Sequence, residues 1–327
     1  MNRNRNIAIG CGLIIVFLTI FSIMIGVMTA QFKGGDMASG SIFSNFKQSA
    51  GGGKIGLIYV TGLIHAGSSG GGLMGEQTSG SDTLVNLFEK AGKDPNIKAV
   101  VVRVNSPGGS PAGSQEIYHA IMRLKTEYKK PVIISMGDVA ASGGYYVSCA
   151  GDTIFADPAT LTGSIGVIMN MLNYMGLFNK VGLASVTLKS GKFKDIGSPY
   201  RKMTPEDQAI LQSAIDDLLQ QFISDVAVGR KMKVEDVVKL ADGRVFTGDQ
   251  AVKLKLVDKL GGMQDAIEYA AKKTGLKMPV DVENLQKENP LAMLFGSLDQ
   301  LNPGMLKKIP LQQISEMLLV NPVLNAQ

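Results

Sequence analysis

Two apolar, strand-like segments each run into a turn of small residues, and this pattern constrains the fold most. Residues 99–104 lead into Asn-Ser-Pro-Gly-Gly, and residues 131–136 lead, six positions later, to Ser142 and Gly143. Helix-like stretches follow both turns. Buried strands that alternate with helices are typical of α/β domains with largely parallel sheets. A serine at a strand-to-helix turn can also direct its own amide and the next one toward a developing negative charge.

The alternation continues through most of the chain. A length of 327 residues with 45% hydrophobic residues is enough for one large α/β domain or two smaller ones. One long helix has a clear start, because Thr204 suits the N-cap and Pro205 the first turn. We predict helices at residues 83–91, 112–129, 142–150, 204–228, 234–240 and 264–273, and further strands at 153–156, 164–169 and 183–188.

The first part of the chain differs from the rest. Residues 7–28 carry no charge and follow Arg3 and Arg5, and about 20 apolar residues suffice to cross a bilayer. A cleaved secretory signal is the alternative, but its apolar region is normally about 7–15 residues long. We expect an uncleaved transmembrane helix at 7–28 with residues 1–6 in the cytoplasm. The Gly/Ser-rich linker at 29–53 then tethers an extracytoplasmic domain to the cell membrane.

Composition excludes several classes of function. The net charge of +5 comes without a dense basic tract between residues 54 and 280, which argues against nucleic-acid binding. The cysteines, Cys11 and Cys149, cannot form a disulfide framework, and two histidines do not suit a histidine-rich metal site. We therefore predict neither metal nor cofactor. Cys149 is expected to be a buried structural residue rather than a thiol nucleophile.

A serine nucleophile needs a base to remove its proton. His65 and His119 have no carboxylate at a recognisable spacing, so a Ser-His-Asp arrangement is disfavoured. A lysine can serve if burial favours its neutral form. Lys189, Lys192 and Lys194 follow the last strand-like run, but spacing alone does not separate them. A solvated basic loop is the alternative interpretation of this segment.

Four sequence blocks in order carry a resemblance to a known family. They are VNSPGGS at residues 104–110, MGDVAASGGYY at 136–146, LTGSIGV at 161–167 and SGKFKDIGSP at 190–199. With them, residues 54–275 resemble the short bacterial form of the signal peptide peptidase A family. The resemblance implies a Clp-protease/crotonase-like fold, a superhelix of repeated β-β-α units. Ser106 and Ser110 in the first block are predicted turn residues.

The resemblance also implies roles for individual residues. Ser142 corresponds to the nucleophile, Lys194 to the general base and Ser164 to a hydroxyl that hydrogen-bonds the lysine amine. The oxyanion hole corresponds to the backbone N–H groups of Gly109 and Gly143. The implied function is a membrane-anchored serine endopeptidase that degrades apolar peptides, chiefly remnant signal peptides, through an acyl-enzyme.

Family members form homo-oligomers, in which the serine and lysine of one site can come from neighbouring subunits. Prolines interrupt the tail at residues 276–327, and a subunit contact, the membrane surface and simple disorder are all compatible with it. Two other functions compete with this one. A crotonase-type acyl-CoA enzyme would share the fold but would not explain a serine at the oxyanion hole. A catalytically silent membrane scaffold would not explain intact Ser142 and Lys194.

Overall fold

The computed structural model describes residues 53–69 and 78–286. The strands within these ranges are β1 (Lys54–Thr61), β2 (Ile64–His65), β3 (Ser79–Gly80), β4 (Ile97–Ser106), β5 (Val132–Ala141), β6 (Thr153–Ala156), β7 (Leu161–Gly163), β8 (Val245–Thr247), β9 (Lys259–Leu260) and β10 (Val282–Asn284). The helices are α1 (Ser81–Lys93), α2 (Pro111–Thr126), α3 (Gly143–Cys149), α4 (Met175–Lys180), α5 (Pro205–Arg230), α6 (Val234–Val238), α7 (Gly248–Lys253) and α8 (Met263–Thr274).

One eight-stranded sheet organises the domain. Its main path runs β10-β1-β4-β5-β6-β9, and the pairs from β1 to β9 are parallel. β7 pairs in parallel with the end of β5 and antiparallel with β8, while β2 and β3 form a separate ribbon. The described part of the chain is thus a mixed α/β fold with a mainly parallel sheet, which confirms the predicted fold class at this level.

The central strands are buried on both faces, which explains their nearly continuous apolar sequences. On one face Leu57, Val101 and Ile133 pack against the alanine-rich side of α8. Successive residues of a strand point to opposite faces, so Val102 and Ile134 belong to the other face, where α1 and α2 contact the sheet.

The sheet brings the two turns of the sequence pattern to one edge. β4 ends at Ser106, β5 ends at Ala141, and the two strands are parallel neighbours with Ser106 opposite Ala140. The register shifts between Val104 and Ser106, which lets β5 continue beyond the predicted end at residue 136. Ligands of parallel sheets bind at the carboxyl ends of strands, so this edge is where a site is expected.

The six predicted helices correspond to α1, α2, α3, α5, α6 and α8, with ends displaced by a few residues. The predicted strands at 164–169 and 183–188 are wrong: these residues adopt no strand, and α4 lies between them. A strand needs a hydrogen-bonded neighbour along its length, and no strand among the described residues pairs with either segment. Residues 164–165 make two backbone hydrogen bonds to residues 243–244, which do not form a ladder. Most of their apolar side chains are instead exposed, with Ile168 at 83%, Val186 at 84% and Leu188 at 94%, while Ile165 is buried.

The predicted transmembrane helix at residues 7–28 lies outside the described residues, as does most of the tail. Within the described ranges, none of the helices combines the length and apolar character that a bilayer crossing requires.

Candidate active site

Ser142 occupies a sharp turn between β5 and α3. Its backbone has φ 51° and ψ −120°, a conformation that non-glycine residues rarely adopt and that marks functional turns. The Ser142 N–H donates to Gly163 O at 2.9 Å, and the Ser142 carbonyl accepts from Tyr146 N–H at 2.9 Å. The residue is half-buried, and its hydroxyl makes no hydrogen bond with any described residue. The turn therefore presents a serine hydroxyl at the end of the sheet.

The Gly108–Gly109 turn after β4 lies directly against Ser142. A Cβ on Gly108 would lie 2.9 Å from Ser142 Cβ and 2.7 Å from Gly143 N, and a Cβ on Gly143 would lie 3.2 Å from Gly109 N. Both turn glycines have positive φ, 106° for Gly108 and 151° for Gly109. The structure thus brings Ser142, Gly109 and Gly143 together, while their role as an oxyanion hole stays a prediction.

Hydrogen bonds hold this glycine turn in place. Gly109 forms a β-bridge with Ile64, whose N–H donates to Gly108 O at 2.9 Å and whose carbonyl accepts from Ser110 N–H at 2.8 Å. The buried Ser106 hydroxyl donates to Gly62 O at 2.6 Å and accepts from Gly108 N–H at 3.1 Å. The Ser106 side chain therefore supports the glycine turn. The sequence predicted only that Ser106 lies in a turn.

Ser110, predicted as a turn residue, has a structural role as a helix cap. It is the N-cap of α2, and its hydroxyl accepts from Gly113 N–H at 3.2 Å. One turn along α2, the buried Ser114 lies next to the serine turn, because a Cβ on Gly143 would approach Ser114 Oγ to 2.4 Å. Ser114 was not predicted as a site residue, since nothing in a helical pattern shows which residue faces a distant turn.

Ser164 follows the residue that binds the Ser142 backbone. Gly163 accepts the Ser142 N–H, and Ser164 itself has φ 50° and donates its N–H to Arg244 O at 2.8 Å. The half-buried Ser164 hydroxyl has no hydrogen-bond partner among the residues described. The two serines therefore stand on adjoining turns, both with strained backbones.

The three candidate lysines have different surroundings. Lys189 Nζ donates to Asp195 Oδ1 at 2.7 Å and to Lys192 O at 2.9 Å, and Lys192 Nζ pairs with the Glu206 carboxylate. Lys194 is exposed, and its amine makes neither hydrogen bond nor ion pair with any residue in the described ranges. The amines of Lys189 and Lys192 are thus already engaged in hydrogen bonds or ion pairs. The Lys194 amine makes no hydrogen bond to Ser142 or Ser164 of this chain.

Residues close to Lys194 in the sequence form ion pairs with one another. Arg201 contacts both Asp195 and Asp207. The hydrogen bonds from Arg201, followed by those from Lys189, lower the pKa of Asp195 to about 2. The Arg201 guanidinium likewise holds the pKa of Asp207 well below its usual range. Both carboxylates are therefore ionised at neutral pH.

The remaining nucleophile and base candidates are accounted for locally. His65 has its ring nitrogens 3.0 Å from Ala66 O and 3.0 Å from Thr78 Oγ1, and His119 contacts the Tyr118 ring edge-on. Cys149 is fully buried, which confirms its prediction as a structural residue, and burial raises the pKa of its thiol. Neither histidine hydrogen-bonds a carboxylate of the described residues.

Comparison with known proteins gives a consistent set of matches. The profile described as Peptidase family S49 matches residues 125–277. A provisionally named protease of Synechocystis sp. is 41% identical over 76% of this chain and 85% of its own length. A provisionally named protease of Methanocaldococcus jannaschii is 34% identical, over 90% and 93%. An Enterococcus faecium protein provisionally named signal peptide peptidase SppA is 33% identical, over 84% and 83%.

Proposed function

The chain belongs to peptidase family S49 and is a serine endopeptidase, and we propose that Ser142 is its nucleophile and Lys194 its general base. One observation carries this proposal: Ser142 stands in a strained turn beside the backbone nitrogens of Gly109 and Gly143. A peptidase needs just such a hydroxyl next to paired donors. The unoccupied Lys194 amine supports its choice over Lys189 and Lys192.

The proposed reaction proceeds through an acyl-enzyme. Ser142 Oγ attacks the peptide carbonyl carbon while its proton passes to Lys194 Nζ, and the N–H groups of Gly109 and Gly143 donate to the oxyanion. The tetrahedral intermediate collapses as Lys194 returns the proton to the leaving amine. Water then attacks the acyl-enzyme, with Lys194 again accepting and returning a proton. Ser164 orients the lysine amine in this scheme.

A second copy of the chain is proposed to complete the site. An amine acts as a base only when unprotonated, which a lysine achieves most readily where water is excluded. Lys194 is exposed in the single chain, and apolar side chains of residues 168–188 are exposed before it. Apolar surface of this kind marks an interaction site. We place a neighbouring subunit over it, so that Ser142 of that subunit meets Lys194.

Complementation between subunits tests this arrangement. Ser142→Ala and Lys194→Ala variants are each expected to be inactive, yet co-expression in one cell should restore activity. If serine and lysine come from different subunits, random mixing makes about one quarter of the sites intact. If they come from one subunit, the mixed oligomer stays inactive, which would overturn the shared site but not the dyad.

The proposed substrates are apolar peptides in extended form, chiefly remnant signal peptides in the membrane. The name of the Enterococcus faecium relative and the predicted membrane anchor at residues 7–28 support this choice. An extended peptide can add a strand beside an exposed sheet edge and place alternate side chains in pockets. We further assign the domain to the Clp-protease/crotonase-like fold group, in keeping with its parallel strands and connecting helices.

Active-site labelling tests the dyad. The full-length protein in detergent is treated with a fluorophosphonate probe, and the modified residue is located by peptide mass spectrometry. The rate of Ser142 labelling should fall by at least about 100-fold in Lys194→Ala and stay within about twofold of wild type in the matched variant Lys192→Ala. Labelling of Ser142 that keeps the wild-type rate in a folded Lys194→Ala variant would contradict the base assignment, and absence of labelling in the wild type would contradict the nucleophile.

A further inference from the structure

Arg201 joins the segment that carries Lys194 to the start of a long helix. Its Nε donates to Asp195 Oδ2 at 3.0 Å and its Nη2 to Asp195 Oδ1 at 3.1 Å, a bidentate pair. The Nη2 atom also lies 3.2 Å from Asp207 Oδ1, and Nη1 contacts Asp207 Oδ2 and donates to Lys202 O at 3.0 Å. Every guanidinium nitrogen is thus engaged.

This Asp195–Arg201–Asp207 cluster is shielded from solvent. The exposed fractions of the three side chains are 12% for Asp195, 28% for Arg201 and 3% for Asp207. Shielded bidentate pairs have fixed geometry, unlike the flexible ion pairs of open surface. A lysine could not reproduce the arrangement, because a single ammonium cannot present parallel donors to two carboxylates.

Each carboxylate in the cluster anchors a different element. Asp195 is adjacent to Lys194 in a segment of turns that has no strand or regular helix of its own. Asp207 belongs to the capping box of the 26-residue helix α5: it accepts from Thr204 N–H at 3.0 Å, and its own N–H donates to Thr204 Oγ1 at 3.1 Å. The cluster therefore fixes an irregular loop to a rigid helix end.

The far end of α5 packs on the helix that begins at the Ser142 turn. Phe222 stacks on Tyr146 of α3 with ring centroids 4.5 Å apart, and the Tyr146 hydroxyl donates to the Asp225 carboxylate. One helix thus connects the lysine segment to the serine helix of the same chain. Of the described residues along this path, the loop that carries Lys194 and Asp195 is the part without regular secondary structure. This loop is the part that the cluster holds.

We propose that Arg201 is a positioning residue for the base: it holds Asp195, and thereby the backbone of Lys194, in a fixed position relative to α5. This inference rests on the proposed role of Lys194. Small misplacements of a catalytic group have large effects on rate. A loop held by two ion pairs presents its amine in one place. Without them the amine samples many positions, and the transition state is reached less often, whereas substrate binding is unchanged.

Steady-state kinetics on a fluorogenic apolar peptide test the proposal, with full-length protein in detergent. Arg201→Met, Arg201→Lys and Asp195→Asn should each lower kcat by about 10- to 100-fold and leave KM within about twofold. Failure of Arg201→Lys to rescue would show that geometry matters and not charge alone. The control is Lys93→Met, which breaks the exposed Glu89–Lys93 pair of α1 and should behave as wild type.

A double variant separates positioning from general stability. Arg201→Met added to Lys194→Ala should change the residual rate of Ser142 labelling by less than about twofold, because the base that it positions is gone. An equal loss of labelling rate on adding Arg201→Met to the wild type and to Lys194→Ala would overturn the inference. Normal kcat in Asp195→Asn would also overturn it, as would a gel-filtration volume that changes in step with the activity. If Lys194→Ala alone keeps wild-type activity, the proposed dyad fails first; if only the Arg201 and Asp195 variants are normal, the dyad stands without the cluster.

Discussion

The backbone nitrogen of Gly109 lies 3.2 Å from the point where a side chain on Gly143 would begin. A methyl group there would therefore stand between the two proposed oxyanion donors. We predict that Gly143→Ala lowers kcat by about 100- to 1000-fold, the usual effect of losing one such donor. Because the new Cβ would also approach Ser114 Oγ to 2.4 Å, the free energy of unfolding should fall by about 1–3 kcal/mol.

Combining Gly143→Ala with Ser114→Ala distinguishes these two effects. The second substitution removes the nearest clashing atom but leaves Gly109 N covered, so stability should recover while kcat stays low. The measurements are urea unfolding and peptidase kinetics on the same preparations. Recovery of kcat along with stability would show that the clash, and not the covered amide, caused the loss.

The Ser106 hydroxyl bridges two backbone groups at the foot of the glycine turn, Gly62 O at 2.6 Å and Gly108 N–H at 3.1 Å. Ser106→Ala leaves both without this partner in a buried place. We predict a loss of about 1–3 kcal/mol in the free energy of unfolding, measured by urea titration. A decrease in kcat should accompany it, since the turn carries Gly109.

Ser148→Ala is the matched control for Ser106→Ala. The Ser148 hydroxyl is equally buried but donates to Gly144 O, one turn earlier in α3, at 2.7 Å. A helix carbonyl keeps its helical bond when such a side chain is removed, so the cost should be smaller. Equal losses in the two variants would mean that burial of a hydroxyl alone, and not support of the turn, explains the result.

Cys149 offers a test against thiol chemistry. Burial of the side chain raises the pKa of the thiol, so the reactive thiolate should be absent at pH 8. We predict that iodoacetamide leaves Cys149 unmodified until urea is added, as measured by peptide mass spectrometry, which separates it from Cys11. The variant Cys149→Ala should keep kcat within about twofold. Rapid modification of the native protein with loss of activity would contradict this assignment.

The elements that could be predicted from the sequence have long periodic or continuous apolar patterns. β4 and β5 are nearly continuous apolar runs because both faces of the sheet are covered, and α5 begins where Thr204 and Pro205 indicate. The short strands β8, β9 and β10 were missed, since two or three residues show no periodicity. Their existence depends on which strand lies beside them.

The segments wrongly predicted as strands show the same dependence on a neighbouring strand. Residues 164–169 and 183–188 have apolar and β-branched residues, yet the described part of the chain supplies no strand to pair with them. β propensity reflects the surroundings more than the backbone. In the site, the closeness of Ser142 and Gly109 follows from parallel pairing of β4 and β5 and was predictable. The contacts of Ser106, Ser114 and Arg201 depend on tertiary packing and were not.

The low pKa of Asp195 predicts how the Arg201 cluster responds to acid. An aspartate titrates near pH 3.9 in an unfolded chain, whereas in the folded protein the pKa is about 2. The stabilisation is thus fully present above about pH 4 and is lost as the pH falls toward 2. Urea unfolding should show wild type more stable than Asp195→Asn at pH 5, with the difference shrinking below pH 3.

The exposed Asp249–Lys253 pair is the control, because Asp249→Asn should differ little from wild type throughout. A difference for Asp195→Asn that stays constant from pH 5 to pH 2.5 would mean that the carboxylate charge does not hold the lysine segment.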